Sequence, residues 1–128
     1  MSFDNVSNMF NIIKTHEQKG KKECEVQYSK LIGNILETMK KHDYIESYEY
    51  IDNGKGGYFK VRLKGKINKC SSIKPRMPIK KNEWFEVEAK YLPAVGIGIL
   101  IVSTPKGVIT NEEAKKEGIG GRLLGYIY

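Results

Sequence analysis

The run Ser103-Thr104-Pro105-Lys106-Gly107 combines two hydroxyls, a rigid ring, a cation and a glycine at the end of an apolar stretch. Ser103 and Thr104 are compact donors and acceptors that can reach a ribose hydroxyl, a phosphate or a base edge. Pro105 limits the flexibility of the tip, so less ordering entropy is lost on docking. Lys106 is a mobile cation suited to phosphate but not to bidentate base reading. Gly107 permits close backbone approach. The competing reading is a turn whose hydroxyls satisfy their own backbone, a common use of Ser/Thr-Pro sequences. The residues by themselves leave the two readings open.

Catalytic chemistry finds less support. Gly54-Lys55-Gly56-Gly57 lacks the Gly-Lys-Ser/Thr ending of a phosphate-binding loop and sits between two strand patterns. Gly118-Ile119-Gly120-Gly121-Arg122-Leu123 misses the last glycine of a dinucleotide fingerprint and leads into a strand pattern. Ser103 lies in no Gly-x-Ser-x-Gly elbow, and no histidine or acid is spaced to nominate a triad. Cys24 and Cys70 have no Cys-x-x-Cys spacing and read as reduced, small apolar residues. His16 and His42 are isolated, so no metal site and no cofactor is expected. The expectation is a binding protein, not an enzyme.

The charge agrees. The 128 residues carry 22 Lys or Arg against 15 Asp or Glu, a net charge of +7. Such a surplus favours an anionic partner. The window from Lys60 to Lys81 holds nine Lys or Arg and no acid, which suits a phosphate-tracking surface better than a uniformly solvated face. The amino terminus lacks a basic opening followed by a long apolar run, so no signal peptide is expected. Ile97 to Val102, the longest apolar stretch, is too short for a bilayer. A cytoplasmic location without membrane association is the expectation.

These residues need elements to hold them. Val6, Met9, Phe10 and Ile13 recur at helical spacing after Asp4, a candidate N-cap. Cys24, Val26 and Tyr28 alternate with polar residues, as in a short strand. Ser29 opens a second helix with Leu31, Ile32, Ile35, Leu36 and Met39 on one face. Tyr44 to Ile51 and Phe59 to Leu63 form a hairpin about Asn53-Gly54-Lys55-Gly56-Gly57. Phe59, Val61 and Leu63 share one face, with Lys60, Arg62 and Lys64 on the other. Gly65 to Pro78 reads as the module boundary. Asn82 to Lys90 is a candidate short helix, whose Trp84, Phe85 and Val87 read as core or lid. Gly96 to Val102 reads as a strand buried on both faces. Thr110-Asn111-Glu112-Glu113 is a capping box, with Gly118 as the stop and a last strand from Leu123. The fold class is α+β. An amino-terminal α-β-α-β-β module, 1–66, precedes a carboxy-terminal mainly β module with one short helix, 67–128.

The Ser-Thr-x-x-Gly tip, the downstream Gly120-Gly121 pair and the aromatic-ended tail resemble the eighth small-subunit ribosomal protein family. The archaeal form is the most similar, with bacterial and eukaryotic relatives. Ser29-Lys30-Leu31-Ile32-Gly33, His42-Asp43-Tyr44-Ile45-Glu46, Gly65-Lys66-Ile67-Asn68-Lys69 and Ile73-Lys74-Pro75-Arg76 are also similar to family segments. Two positions depart from it: Pro105 stands where bacterial members carry a third hydroxyl, and Lys14-Thr15 where an Asn-Asn or Arg-Asn pair is usual.

The resemblance implies a structural, rRNA-binding constituent of the small ribosomal subunit that binds the central domain of 16S-type rRNA early in assembly. It implies RNA contact by Ser103, Thr104, Pro105, Lys106 and Gly107, with Gly120, Gly121 and Arg122 supporting or flanking them. Asp4, Asn8 and Lys30 lie in matching amino-terminal segments that face a second part of the RNA. The protein would be monomeric within the ribosome, beside other ribosomal proteins such as the fifth and second. Two alternatives are a translational repressor binding its own mRNA and a generic nucleic-acid-binding module.

Overall fold

A computed structural model describes residues 5–73, 77–94 and 96–128. The chain divides into two compact units, one ending at Cys70 and the other beginning at Ser71. In the first, α1 (Asn5–Gln18), β1 (Glu23–Gln27), α2 (Lys30–Lys41), β2 (Ile45–Ile51) and β3 (Tyr58–Leu63) follow in order. This is the α-β-α-β-β sequence of elements read from the pattern. The three strands form an antiparallel sheet with β3 in the centre.

Period-two alternation places Phe59, Val61 and Leu63 on the covered face of β3, where each is buried. The stripe Val6, Met9, Phe10 and Ile13 of α1 is buried, as are Ile32, Ile35, Leu36 and Met39 of α2. The Ser29 hydroxyl accepts from the Ile32 N–H at 3.1 Å and starts α2. A Cβ at Gly33 would lie 3.1 Å from the Phe59 ring, so the missing side chain lets α2 sit close to the sheet. Asp4 lies outside the described residues.

The cationic face of β3 is not bare. Lys60 and Arg62 both approach Glu23 of the neighbouring strand, at 3.6 and 3.5 Å, and Lys64 is paired with Asp43. Part of the charge in the acid-free window is therefore answered by acids brought in from elsewhere in the chain.

The second unit is built on β6 (Ile99–Thr104), β7 (Gly107–Thr110) and β8 (Gly121–Ile127). Strand β6 lies between β7 and β8, while β4 (Cys70–Ser72) and β5 (Pro78–Ile79) pair with β8 on its other side. Ile99 to Val102 are all buried, as expected of a strand enclosed on both faces. The segment starts later than its apolar pattern, because Gly96 and Gly98 take positive φ.

Two short helices complete the unit. α4 (Asn111–Glu117) follows the anticipated capping box, and α3 (Trp84–Tyr91) occupies the candidate segment. The Thr110 hydroxyl accepts from the Glu113 N–H and donates to the Glu113 carboxylate, both at 3.3 Å. Gly118 ends α4 in the left-handed region at φ 68°. Trp84 is buried and its indole N–H donates to the Ile119 carbonyl at 3.0 Å. Phe85 corrects the core-or-lid reading of its segment: the next position round the helix points away from the Trp84 face, leaving Phe85 70% exposed.

Candidate functional site

Strands β6 and β7 pair in a register that closes with Thr104 opposite Gly107, so Pro105 and Lys106 are the two residues of a tight hairpin turn. Proline presets the φ that the first turn residue needs. Gly107 stands at φ 115° with no atom within 4 Å of a would-be Cβ, so the glycine is required by backbone conformation and not by crowding. Pro105, Lys106 and Gly107 are exposed, whereas Ser103 and Thr104 are half-buried.

The Thr104 hydroxyl serves its own turn. Its oxygen accepts from the Lys106 N–H at 3.1 Å and its proton goes to the Gly107 carbonyl at 2.9 Å. One lone pair remains for an outside donor. Ser103 sits across from Val108 on one side and Arg122 on the other, and its hydroxyl has no protein partner among the described residues. The turn reading of the Ser-Thr-Pro run thus describes Thr104, while the Ser103 hydroxyl is left without a protein partner among the described residues.

The glycine pair has a packing role. A Cβ on Gly121 would lie 2.4 Å from Val102 Cγ1 and 2.8 Å from the Ser103 carbonyl oxygen. On Gly120 it would lie 2.0 Å from the Ile79 carbonyl oxygen. Side chains here would force β8 away from β6 and β5, and with it the strand end carrying Ser103. Arg122 follows as an exposed residue of β8, in register with Ser103 and Pro78.

Beside the turn lies an open groove of about 480 Å³. Pro105, Ile119 and the glycine backbones give it apolar walls, and Lys80, Lys81 and Lys106 supply cations. Lys106 Nζ lies 3.0 Å from Glu117 at the end of α4. A flat apolar surface with cations around it suits a nucleotide, whose base and phosphate make opposite demands. Sequence reasoning missed Lys80, Lys81 and Ile119. The first two close the acid-free window, which was the available signal; nothing local marked Ile119.

The remaining candidates belong to the first unit. Asn8 is exposed on α1, away from its buried stripe, and Lys30 is the exposed first residue of α2. That unit also has a groove of about 790 Å³ near Gly20 and Gly65, lined by charges of both signs.

Among the described residues no cluster of His, Cys, Asp or Glu could hold a metal ion. Burial pushes the thiols of Cys24 and Cys70 up to about 12, so both are protonated and unreactive near neutral pH. No helix among the described residues is long and apolar enough to cross a membrane. The family model described as Ribosomal protein S8 matches residues 4–128.

Proposed function

The chain belongs to the ribosomal protein S8 family, and from that premise we propose that it binds the central domain of small-subunit rRNA through the β6–β7 turn. The family comprises ribosomal proteins of the small subunit that bind rRNA and lie beside other ribosomal proteins; it is not a family of enzymes. In the proposed role the chain binds early, as a monomer, and holds the folded central domain for later components, the fifth and second proteins among its neighbours. Ser103, Thr104, Lys106 and Gly107 meet the RNA. Pro105 stiffens the turn, Gly120 and Gly121 keep its supporting strands together, and Arg122 adds charge at its flank. Asp4, Asn8 and Lys30 contact a second part of the same RNA.

One observation carries the reading: an exposed, internally hydrogen-bonded turn next to an apolar groove with three lysines. A turn already held by Thr104 loses little entropy on docking. Regular A-form RNA hides its base edges, so a rigid finger of this kind suits an irregular, locally opened site. The cations add affinity that depends on salt.

The test is binding to a central-domain rRNA fragment, with duplex DNA of equal length as the competitor. Thr104→Ala removes the outward lone pair and loosens the turn, so it should weaken specific binding by about 1–3 kcal/mol. Thr104→Ser keeps the hydroxyl and should bind nearly as wild type. If Thr104→Ala binds the fragment as tightly as wild type, or DNA competes as well as RNA, the reading fails.

A further inference from the structure

The topology of the first unit gathers cations at one end of its sheet. Strand pairing sets the start of β1 beside the end of β3, with Glu23 opposite Arg62. The start of β2 lies there too, with Ile45 opposite Leu63. The chain therefore enters β1, enters β2 and leaves β3 at the same end. Lys19, Lys21 and Lys22 lie in the first of these connections, and Lys40 and Lys41 close α2 before the second. Lys64, Lys66 and Lys69 follow β3. All eight are exposed. Among the described residues, the connections at the opposite end carry Lys30, Asp52 and Lys55 as their charged residues.

The three turns are tied to one another. The Leu63 N–H donates to the Lys22 carbonyl at 2.8 Å, the Ile67 N–H donates to Glu17 at 3.0 Å, and Lys64 is paired with Asp43. Ile67 is buried, which anchors the loop carrying Lys66 at its middle. Lys21, Lys22, Arg62 and Lys64 line the open groove of about 790 Å³ at this end.

The acids present do not cancel the lysines. Glu17 is engaged by the Ile67 N–H, Glu23 is shared by Lys60 and Arg62, and Asp43 is taken by Lys64. Glu46 lines the groove without an ion-pair partner among the described residues. Eight lysines and Arg62 against these four carboxylates leave five positive charges in excess, most of the chain's net charge of +7. Lysine is a point charge suited to phosphate, with no fork for reading a base edge. Tyr44 beside the second turn is half-buried, and the turns offer no exposed Tyr, Phe or Trp on which a base could stack. Cations spread over three turns fit a polymer of phosphates better than one compact anion.

We propose that this end of the first unit binds the phosphate backbone of rRNA, as a contact separate from those of the β6–β7 turn and of Lys30. Lys21, Lys22 and Lys66 make the contact, which follows the backbone and not the base sequence. RNA is the polyanion that membership of the family supplies. The inference rests on that membership and on the charge of these turns, and it does not require the proposed role of the β6–β7 turn. Lys40 and Lys41 have a second use, since cations in the last turn of α2 offset the helix dipole. The test is therefore placed on the other two turns.

A chain carrying Lys21→Gln, Lys22→Gln and Lys66→Gln retains the backbone bonds of the turns and the Lys64 to Asp43 pair. Its binding to a transcript of small-subunit rRNA is measured over a range of salt, beside the wild type and Thr104→Ala. The slope of log affinity against log salt should fall by about 2–3, and affinity at physiological salt by about tenfold or more. An unchanged slope overturns the proposal, whatever happens to affinity. Thr104→Ala should lower affinity and leave the slope as it is, so the two readings fail separately. Lysine acetylation read by mass spectrometry then locates the contact in the wild-type chain. Lys21, Lys22 and Lys66 should be protected by the rRNA transcript alone. Protection that needs other purified small-subunit proteins would assign the surface to an acidic protein segment and overturn the proposal, as would no protection in either sample.

Discussion

Lys106 at the hairpin tip and Glu117 at the last position of α4 form an ion pair, with Nζ 3.0 Å from Oε1. Lys106 is thus already answered by a carboxylate, which RNA would have to displace in the proposed role. Both side chains are largely exposed, so the pair adds only about 0–1 kcal/mol to folding. Glu117→Gln should leave stability nearly unchanged. It should raise affinity for the rRNA fragment by up to about fivefold, an amount equivalent to that ion-pair energy. In a Lys106→Ala background the gain should disappear. Binding isotherms of the two single variants and the double variant check this, and a gain that persists without Lys106 would show that Glu117 acts on the RNA directly.

Asn111 is 1% exposed and joins two elements: its carbonyl oxygen accepts from the Leu100 N–H at 3.0 Å and its amide donates to Glu88. Asn111→Ala strands the Leu100 N–H in the core, at a cost of about 1–3 kcal/mol. Asn111→Asp should be worse, because it sets a second carboxylate against Glu88. Urea denaturation of both variants would measure the order, and a stable Asp variant would refute this account of the residue.

Gly121→Ala should destabilise by about 1–3 kcal/mol through overpacking against Val102 and the Ser103 carbonyl. Gly120→Ala should cost more, since the obstruction there is the Ile79 backbone itself, which has less freedom to move than a side chain. Neither glycine has positive φ, so the cost comes from space and not from backbone strain. Thermal unfolding of the two variants checks the ranking.

Cys24 and Cys70 have folded-state pKa values raised from 9.0 to about 12, with burial the first cause in each case. The folded chain holds these protons more tightly than the unfolded chain does. Their contribution to stability is therefore fully present below pH 9.0 and is lost as pH rises toward 12. Alkylation by iodoacetamide at pH 8 should be slow in the native protein and fast in urea. Unfolding free energy should fall on going above pH 9, less steeply when both cysteines are replaced by alanine. A fast native reaction would show that these thiols are accessible.

Much of the first unit was legible because its signals are periodic and local. Val6, Met9, Phe10 and Ile13 are buried by helical spacing, and Phe59, Val61 and Leu63 by strand alternation. The Ser29 and Thr110 caps and the Gly118 stop are also short-range, since each depends on hydrogen bonds or dihedrals within a few residues. Phe85 went astray for the same reason. It stands next to Trp84 in a segment of weak periodicity, and composition alone does not say which of two adjacent aromatics faces inward.

The sequence by itself determined the α+β class, the order of elements in the first unit and the Ser103 to Gly107 run, all readable from neighbours in the chain. Tertiary structure alone decided that Lys80 and Lys81 stand beside Pro105, that Glu117 faces Lys106, and that Glu23 answers Lys60 and Arg62. These contacts depend on strand pairing order and register, which bring together residues that periodicity cannot relate. A charge pattern reports which ions the chain owns, while the sheet decides which of them remain unpaired.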